Sequence, residues 1–157
     1  MSPGGQRRLL WSMESITAHR FLPFIKRGIV GHAFSDLKKY HSLVLRAKKE
    51  GADFIKIMIS GIMSFDAFGV LTEEGLPEHE IHEMIRIAHG EGMAVMAHGN
   101  GDRQVRAAIE AGLDTLEHGN YLEQDTLDQL ARSRTIWIPT LSPTGNLLGC
   151  GRFPDAQ

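Results

Sequence analysis

The apolar residues of this chain fall into two alternating periods from about residue 35 onward. Leu37, Tyr40, Val44 and Ala47 recur at helical spacing behind Ser35 or Asp36 as N-cap, and Gly51 ends that element. An unbroken apolar run with one lysine follows at 54–59 and reads as a strand apolar on both faces, the pattern of a covered parallel sheet. Pro77 suits the first turn of a second helix, whose buried stripe is Ile81, Met84, Ile85 and Ala88 before Gly90. Strand 93–97 comes next, and Asp102 caps a helix carrying Val105, Ala108 and Ile109, closed by Gly112. Strand 115–117, a helix with Leu122, Leu127, Leu130 and Ala131, and strand 136–138 complete the series.

Helix and strand thus alternate four times, which implies right-handed crossovers and a parallel sheet. The predicted class is α/β, with about four parallel βα units in residues 34–142. Residues 1–33 hold the apolar clusters Leu9-Leu10-Trp11 and Phe21-Leu22-Pro23-Phe24-Ile25 without a sustained period and stay unassigned. Residues 143–157 read as an irregular tail. Four units are half of an eight-stranded barrel, which needs about 250 residues when whole. A small open doubly wound sheet competes, but its nucleotide fingerprint is missing: Gly99-Asn100-Gly101 follows a strand, and Gln104 stands where the third glycine belongs. The connection 60–76, with Gly61, Gly69, Gly75, Phe65 and Phe68, is long enough to be either an active-site lid or a surface excursion.

Composition narrows the function classes. The chain has 157 residues, a net charge of −2 and 42% apolar residues, enough for one domain with a sizeable core. Near-neutral charge supplies no basic stripe for nucleic acid, and no apolar run is long enough to cross a membrane. The N-terminus lacks the layout of a secretory signal, and the single cysteine, Cys150, fits a reducing compartment, so a cytoplasmic location is expected.

Candidate chemistry gathers at strand ends. His98-Gly99-Asn100 and His118-Gly119-Asn120 each follow a predicted strand and precede a helix, twenty residues apart. Neighbouring parallel strands lie about 4.8 Å apart, so the repeat is expected to place both imidazoles in register, able to share one cation. Neutral imidazole suits zinc and similar cations. Each histidine would sit at the C-terminal edge of the sheet, where α/β enzymes keep their sites. Lys56, in the first strand, is costly to bury unless compensated. It admits three readings: a buried ion pair, a stem covered while the ammonium reaches water, or an amine with a depressed pKa. An ammonium has no lone pair for a metal; a lysine joins a metal site only once modified, for example as a carbamate. His79-Glu80-Ile81-His82 is one residue short of the zinc motif HExxH and reads as a solvated helix face.

Four segments in order carry a family resemblance: 51–57 (GADFIKI), 97–99 (AHG), 111–119 (AGLDTLEHG) and 138–141 (IPTL). From about Gly31 onward the chain resembles the amidohydrolase superfamily, in its imidazolonepropionase and prolidase-like branch. The resemblance implies strands four to seven of a (β/α)8 TIM barrel, with Lys56 as the carboxylated, metal-bridging lysine and His98 and His118 as ligands of the second metal. It further implies divalent metal, zinc being expected, with two ions in an intact site. The implied reaction is hydrolysis of amide-type bonds in small molecules, such as dipeptides or N-acyl amino acids, by a metal-activated water.

The sequence also departs from that family. No His-x-His pair occurs, and no strand after Pro139-Thr140 carries the family's catalytic aspartate; Asp155 lies in a Gly/Pro-rich stretch. Ile62 follows Gly61 where this branch often has a second glycine. The alternative expectation is a non-catalytic α/β half-barrel serving as a binding or assembly module. Its open sheet edges would favour self-association or a homo-oligomer.

Overall fold

The computed structural model describes residues 16–18, 33–34, 36–64 and 67–146. Six parallel strands form one sheet: β1 (Ile16–Ala18), β2 (Ala33–Phe34), β3 (Phe54–Met58), β4 (Ala94–Gly99), β5 (Thr115–His118) and β6 (Ile136–Ile138). Their order across the sheet is β2-β1-β3-β4-β5-β6. Helices α1 (Leu37–Lys49), α2 (Glu78–Gly90), α3 (Asp102–Glu110) and α4 (Gln124–Arg132) alternate with the strands, and a five-residue helix α5 (Leu141–Gly145) follows β6. From β3 to α5 the chain makes four βα units in sequential order.

Three features differ from the sequence expectation. The sheet gains two short strands. One of them, β1, lies in the segment left unassigned and is inserted between β2 and β3, so the connection through α1 passes over it. The stretch expected to be irregular after Ser142 begins with α5, closed by Asn146 N–H donating to Ser142 O at 2.9 Å. Residues beyond 146, including Cys150 and Asp155, lie outside the described residues.

The third difference concerns burial. Strand β3 alternates between covered and partly open positions, where apolar residues on both faces had suggested cover on both. Helices α1 to α4 pack side by side, and the strand residues Ile55, Ile57, Val95, Ala97 and Leu116 are buried with Val44, Ile81, Met84, Ile85, Val105 and Ala108 in one core. Lys56, Met58, Met96, His98, Thr115 and Glu117 alternate with those strand residues and so point to the other face. That side has no helix layer among the described residues.

Helix boundaries follow local chemistry. Asp36, in extended conformation, accepts a hydrogen bond from Lys39 N at 2.8 Å, and Arg46, Lys48 and Lys49 stand near the negative end of the α1 dipole. Pro77 occupies the N-cap of α2, one position before the expected first turn. Gly101 caps α3, leaving Asp102 as its first residue; the Asp102 carboxylate accepts from Glu123 N at 3.0 Å and Arg106 at 2.9 Å. Along α4, Thr126 and Leu130 are buried, while Ala131 of the predicted stripe is exposed. Among the described residues no helix is long and apolar enough to cross a membrane.

The long β3–α2 connection turns back over the C-terminal ends of the strands. Its two arms are joined by Ser64 N to Val70 O at 2.8 Å and Thr72 N to Ile62 O at 2.9 Å. Gly75 returns the chain in a left-handed conformation (φ +101°), and a Cβ there would overlap the Ile59 carbonyl. At the tip, Phe68 meets Tyr121 of the β5–α4 turn edge to face, with ring centroids 5.1 Å apart.

Candidate metal centre

The three residues singled out in the sequence gather at one edge of the sheet. Lys56 stands opposite Met96 on β4, and its ammonium lies 3.3 Å from Glu117 Oε2. His98, near the end of β4, is 8% exposed. Its Nε2 lies 3.3 Å from the Gly61 carbonyl oxygen. His118 closes β5, and its ring lies 4.6 Å from that of His98, centroid to centroid, at 66°.

The route by which the two rings meet differs from the expected one. They are not in register: His98 pairs with Glu117, and His118 pairs with Gly99. In a regular strand Glu117 and His118 would point to opposite faces. Glu117 faces Lys56, so a regular His118 would turn away from the site. Instead the strand breaks at that residue, where φ is +71°, a left-handed value uncommon outside glycine. Two bonds hold the turn. His118 Nδ1 lies 2.6 Å from Thr140 Oγ1, and Trp137 Nε1 donates to His118 O at 2.9 Å.

Around the imidazoles runs a polar chain built from the His-Gly-Asn repeat. Asn100 Nδ2 donates to Gly61 O at 2.9 Å, and Asn100 Oδ1 accepts from Asn120 N at 3.1 Å and Asn120 Nδ2 at 2.7 Å. The backbone joins the same points through Ile59 N to His98 O at 3.0 Å, Gly119 N to Gly99 O at 2.9 Å and Gly101 N to Asn120 O at 2.8 Å.

Electrostatics favours uncharged rings. Burial, then the neighbouring His118, brings the His98 pKa down to about 4, against a weaker upward pull from the Gly61 carbonyl. Burial and then Lys56 lower that of His118, with Glu117 opposing. Burial also lowers Lys56, and Glu117 pulls it back up. The sequence had left an ion pair, a snorkelling stem and a depressed amine open for Lys56; the geometry combines an ion pair with partial burial.

Sequence reasoning assigned no role to Glu117, Asn100 or Thr140. The signal for Glu117 was an acidic residue in an otherwise apolar strand, at the place where Ala97 precedes the other His-Gly-Asn. Thr140, itself left-handed at φ +46°, comes from a different strand end and carried no local signal. His79 and His82 lie on α2, in the helix layer.

Neutral imidazoles a ring's width apart are the donor set a borderline divalent cation takes. Glu117 Oε1 is buried beside them without a hydrogen-bond partner among the described residues. Among the described residues no three His, Cys, Asp or Glu side chains converge tightly enough to hold an ion by themselves. The histidine pair therefore fits one cation as part of a site whose further donor must come from Lys56 or from outside the set.

Comparison with known proteins defines the class. No protein-family model matches the chain. An uncharacterised protein of Mycobacterium tuberculosis (strain H37Rv) is 35% identical over 146 residues, 88% of this chain and 38% of its own length. Ochratoxinase of Aspergillus niger is 27% identical over 100 residues, 60% of this chain and 19% of its own. Among solved structures, A. niger ochratoxinase superposes with a TM-score of 0.67 at 21% identity, over 86% of this chain and 36% of that one. A Xaa-Pro dipeptidase gives 0.64 at 24%, over 82% and 34%, and an amidohydrolase gives 0.62 at 25%, over 85% and 35%. The fold is a parallel α/β arrangement corresponding to part of a TIM barrel. These neighbours are amidohydrolase-family hydrolases, and the chain spans little more than a third of the length of its mycobacterial relative.

Proposed function

We propose that this chain supplies the central metal-binding strands of a metal-dependent hydrolase acting on amide-type bonds, with dipeptides or N-acyl amino acids as the substrate class. The observation that carries the reading is the pair of uncharged imidazoles, His98 buried and His118 half-buried, 4.6 Å apart at the C-terminal edge of a parallel sheet, with Lys56 beside them. Its relatives, a Xaa-Pro dipeptidase and ochratoxinase among them, supply the substrate class by analogy.

Ring tautomers follow from the neighbours. A carbonyl only accepts, so the 3.3 Å contact with Gly61 O favours the His98 proton on Nε2, over the longer 3.4 Å contact from the Asn100 amide, and leaves the Nδ1 lone pair free. The Thr140 hydroxyl can donate or accept; where His118 Nδ1–H donates to it, Nε2 is the free nitrogen of the second ring. A divalent cation held by those two nitrogens would supply Lewis-acid polarisation of a carbonyl and a bound water that ionises near neutral pH. In an intact two-metal site Lys56 would join as a carbamate: its ammonium would first lose a proton, the free amine would attack carbon dioxide to form the N–C bond, and the second amine proton would leave. The product is an anion in place of a cation, so the ion pair with Glu117 is given up. Burial favours the free amine and Glu117 opposes it.

Zinc titration of the 157-residue chain in bicarbonate buffer, followed calorimetrically and by intact mass, tests the reading. We expect weak binding that drops at least tenfold in His98→Ala and in His118→Ala, and an intact mass with Lys56 unmodified, because ligands for only one of the two metal positions that stabilise a carbamate are present. Zinc binding unchanged in both histidine variants would overturn the assignment. The assembly reading draws on a separate observation: β6 forms one edge of the sheet with Ile136, Trp137 and Ile138 all exposed. Such an edge favours self-association, which light scattering would read as a concentration-dependent mass.

A further inference from the structure

We infer that Asn100 is the positioning residue of this site, fastening the ends of β3, β4 and β5 together and aiming the carbonyl that sets the His98 tautomer. The proposal rests on the metal reading only for its consequence, the nitrogen His98 offers to a cation; the hydrogen bonds stand without it.

Asn100 is 2% exposed, and a carboxamide so buried must find partners for its donors and its acceptor. The backbone N–H donates to Ser60 Oγ at 2.6 Å, itself fully buried at the end of β3. The side chain then reaches both neighbours, donating to Gly61 O on the β3 side and accepting two bonds from Asn120 on the β5 side. Only one orientation works. Turning the amide over would set Oδ1 against the Gly61 carbonyl and Nδ2 against two Asn120 donors, which is repulsive at both ends. No other residue type does the same work at this size. Aspartate keeps the acceptor but loses the donor to Gly61; alanine loses both.

The link to chemistry runs through Gly61. Its carbonyl takes the Asn100 amide at 2.9 Å and the Ser60 hydroxyl at 3.4 Å and lies 3.3 Å from His98 Nε2. Asn100 Nδ2 also lies 3.4 Å from that nitrogen, so the ring either donates to the carbonyl or accepts the longer contact from the amide, and the shorter contact favours the first. The short amide bond holds the carbonyl in place, and the carbonyl in turn holds the ring proton on Nε2. Two-bond proton–nitrogen NMR spectra of the uniformly labelled, metal-free chain above pH 7 read this directly. We expect His98 as a single Nε2–H tautomer; an Nδ1–H or mixed signal in the unsubstituted chain overturns the proposal with no variant made.

Variants separate positioning from mere structural support. Asn100→Ala and Asn100→Asp both remove the donor to Gly61, so His98 should show averaged nitrogen signals of a mobile ring. Asn120→Ala removes the Nδ2 bond on the other side of the amide, keeps the backbone one, and should leave the His98 signals as they are. Should Asn100→Ala fail to fold, the near-isosteric Asn100→Asp gives the answer. A folded Asn100 variant with unchanged His98 signals sinks the inference, as does Asn120→Ala disturbing them equally. Zinc affinity, measured in parallel, should fall about tenfold in the Asn100 variants. No zinc binding by the parent chain, with the tautomer as expected, would defeat the metal reading and leave this one standing. Zinc binding with a tautomer indifferent to Asn100 would do the reverse.

Discussion

The same three residues, His-Gly-Asn, end two adjacent strands and adopt two different geometries. In the first copy the strand continues through His98 and Gly99, and the ring points along the regular pleat into a buried position. In the second the strand stops at His118, the backbone turns left-handed there and again at Gly119 (φ +64°), and the ring reaches the site from one position further along. Glu117 accounts for the difference. It takes the pleat position opposite His98 and turns to Lys56, so His118 reaches the same side only through a non-standard backbone. The first copy is therefore held by burial. The second is held by its tethers to Thr140 and Trp137.

Acid should expose this difference most strongly. The folded-state pKa of His98, about 4, lies below the value of about 6.5 it has when unfolded. Between those pH values the unfolded chain binds more protons, so stability is full above about pH 6.5 and is lost as pH falls toward 4. A difference of that size corresponds to roughly 3 kcal/mol. Urea unfolding at pH 7.5 and pH 4.5 should show the loss, His98→Gln should remove most of the histidine share, and His118→Gln should remove less. A His98→Gln chain that loses as much stability with acid as its parent would refute the burial account.

How far the sequence could foresee this divides along physical lines. Helices α1 to α3 and strands β3 to β5 were legible because their apolar stripes sit at helical or strand spacing and pack in one core. The grouping of Lys56, His98 and His118 was legible because parallel βα units bring strand ends to one edge. The one-residue offset between the histidines was not, since it comes from a local backbone conformation that no periodicity encodes. Glu117 looked like an exception in an apolar strand, and its meaning appears only once β5 lies two strands from Lys56. Strand β1 was illegible for another reason: three residues inserted between β2 and β3 are a tertiary pairing without a period of their own.

The glycines of the two copies give a smaller, cleaner contrast. At Gly99 an added Cβ would sit 3.0 Å from Ile59 Cδ1 and 3.1 Å from Leu116 Cδ1, flexible side-chain ends that can shift a few tenths of an ångström. At Gly119 it would lie 2.6 Å from Trp137 Nε1, the group that tethers the His118 carbonyl, and the backbone is left-handed as well. Overpacking costs about 1–3 kcal/mol at either site. Gly119→Ala adds about 1–2 kcal/mol for the conformation. Denaturation midpoints should therefore rank Gly119→Ala well below Gly99→Ala. Equal losses would show that the second turn carries no special backbone demand.

The subtlest difference lies in asparagine substitutions of the histidines themselves. Asparagine tolerates the left-handed region better than most residues, so His118→Asn relieves part of a strain of about 1–2 kcal/mol. It also gives up the contact with Thr140, worth about 0.5–1.5 kcal/mol. The two effects oppose each other, and the net change should stay within about 1 kcal/mol. His98→Asn has no strain to relieve, since His98 lies within the regular strand β4. It replaces a buried ring with a smaller polar group and leaves space against Gly61, so it should be clearly destabilising. Urea midpoints of the two variants at pH 7.5, where both imidazoles are uncharged, isolate this effect from the acid one. If His118→Asn proves as damaging as His98→Asn, the strained turn is not what distinguishes the second copy from the first.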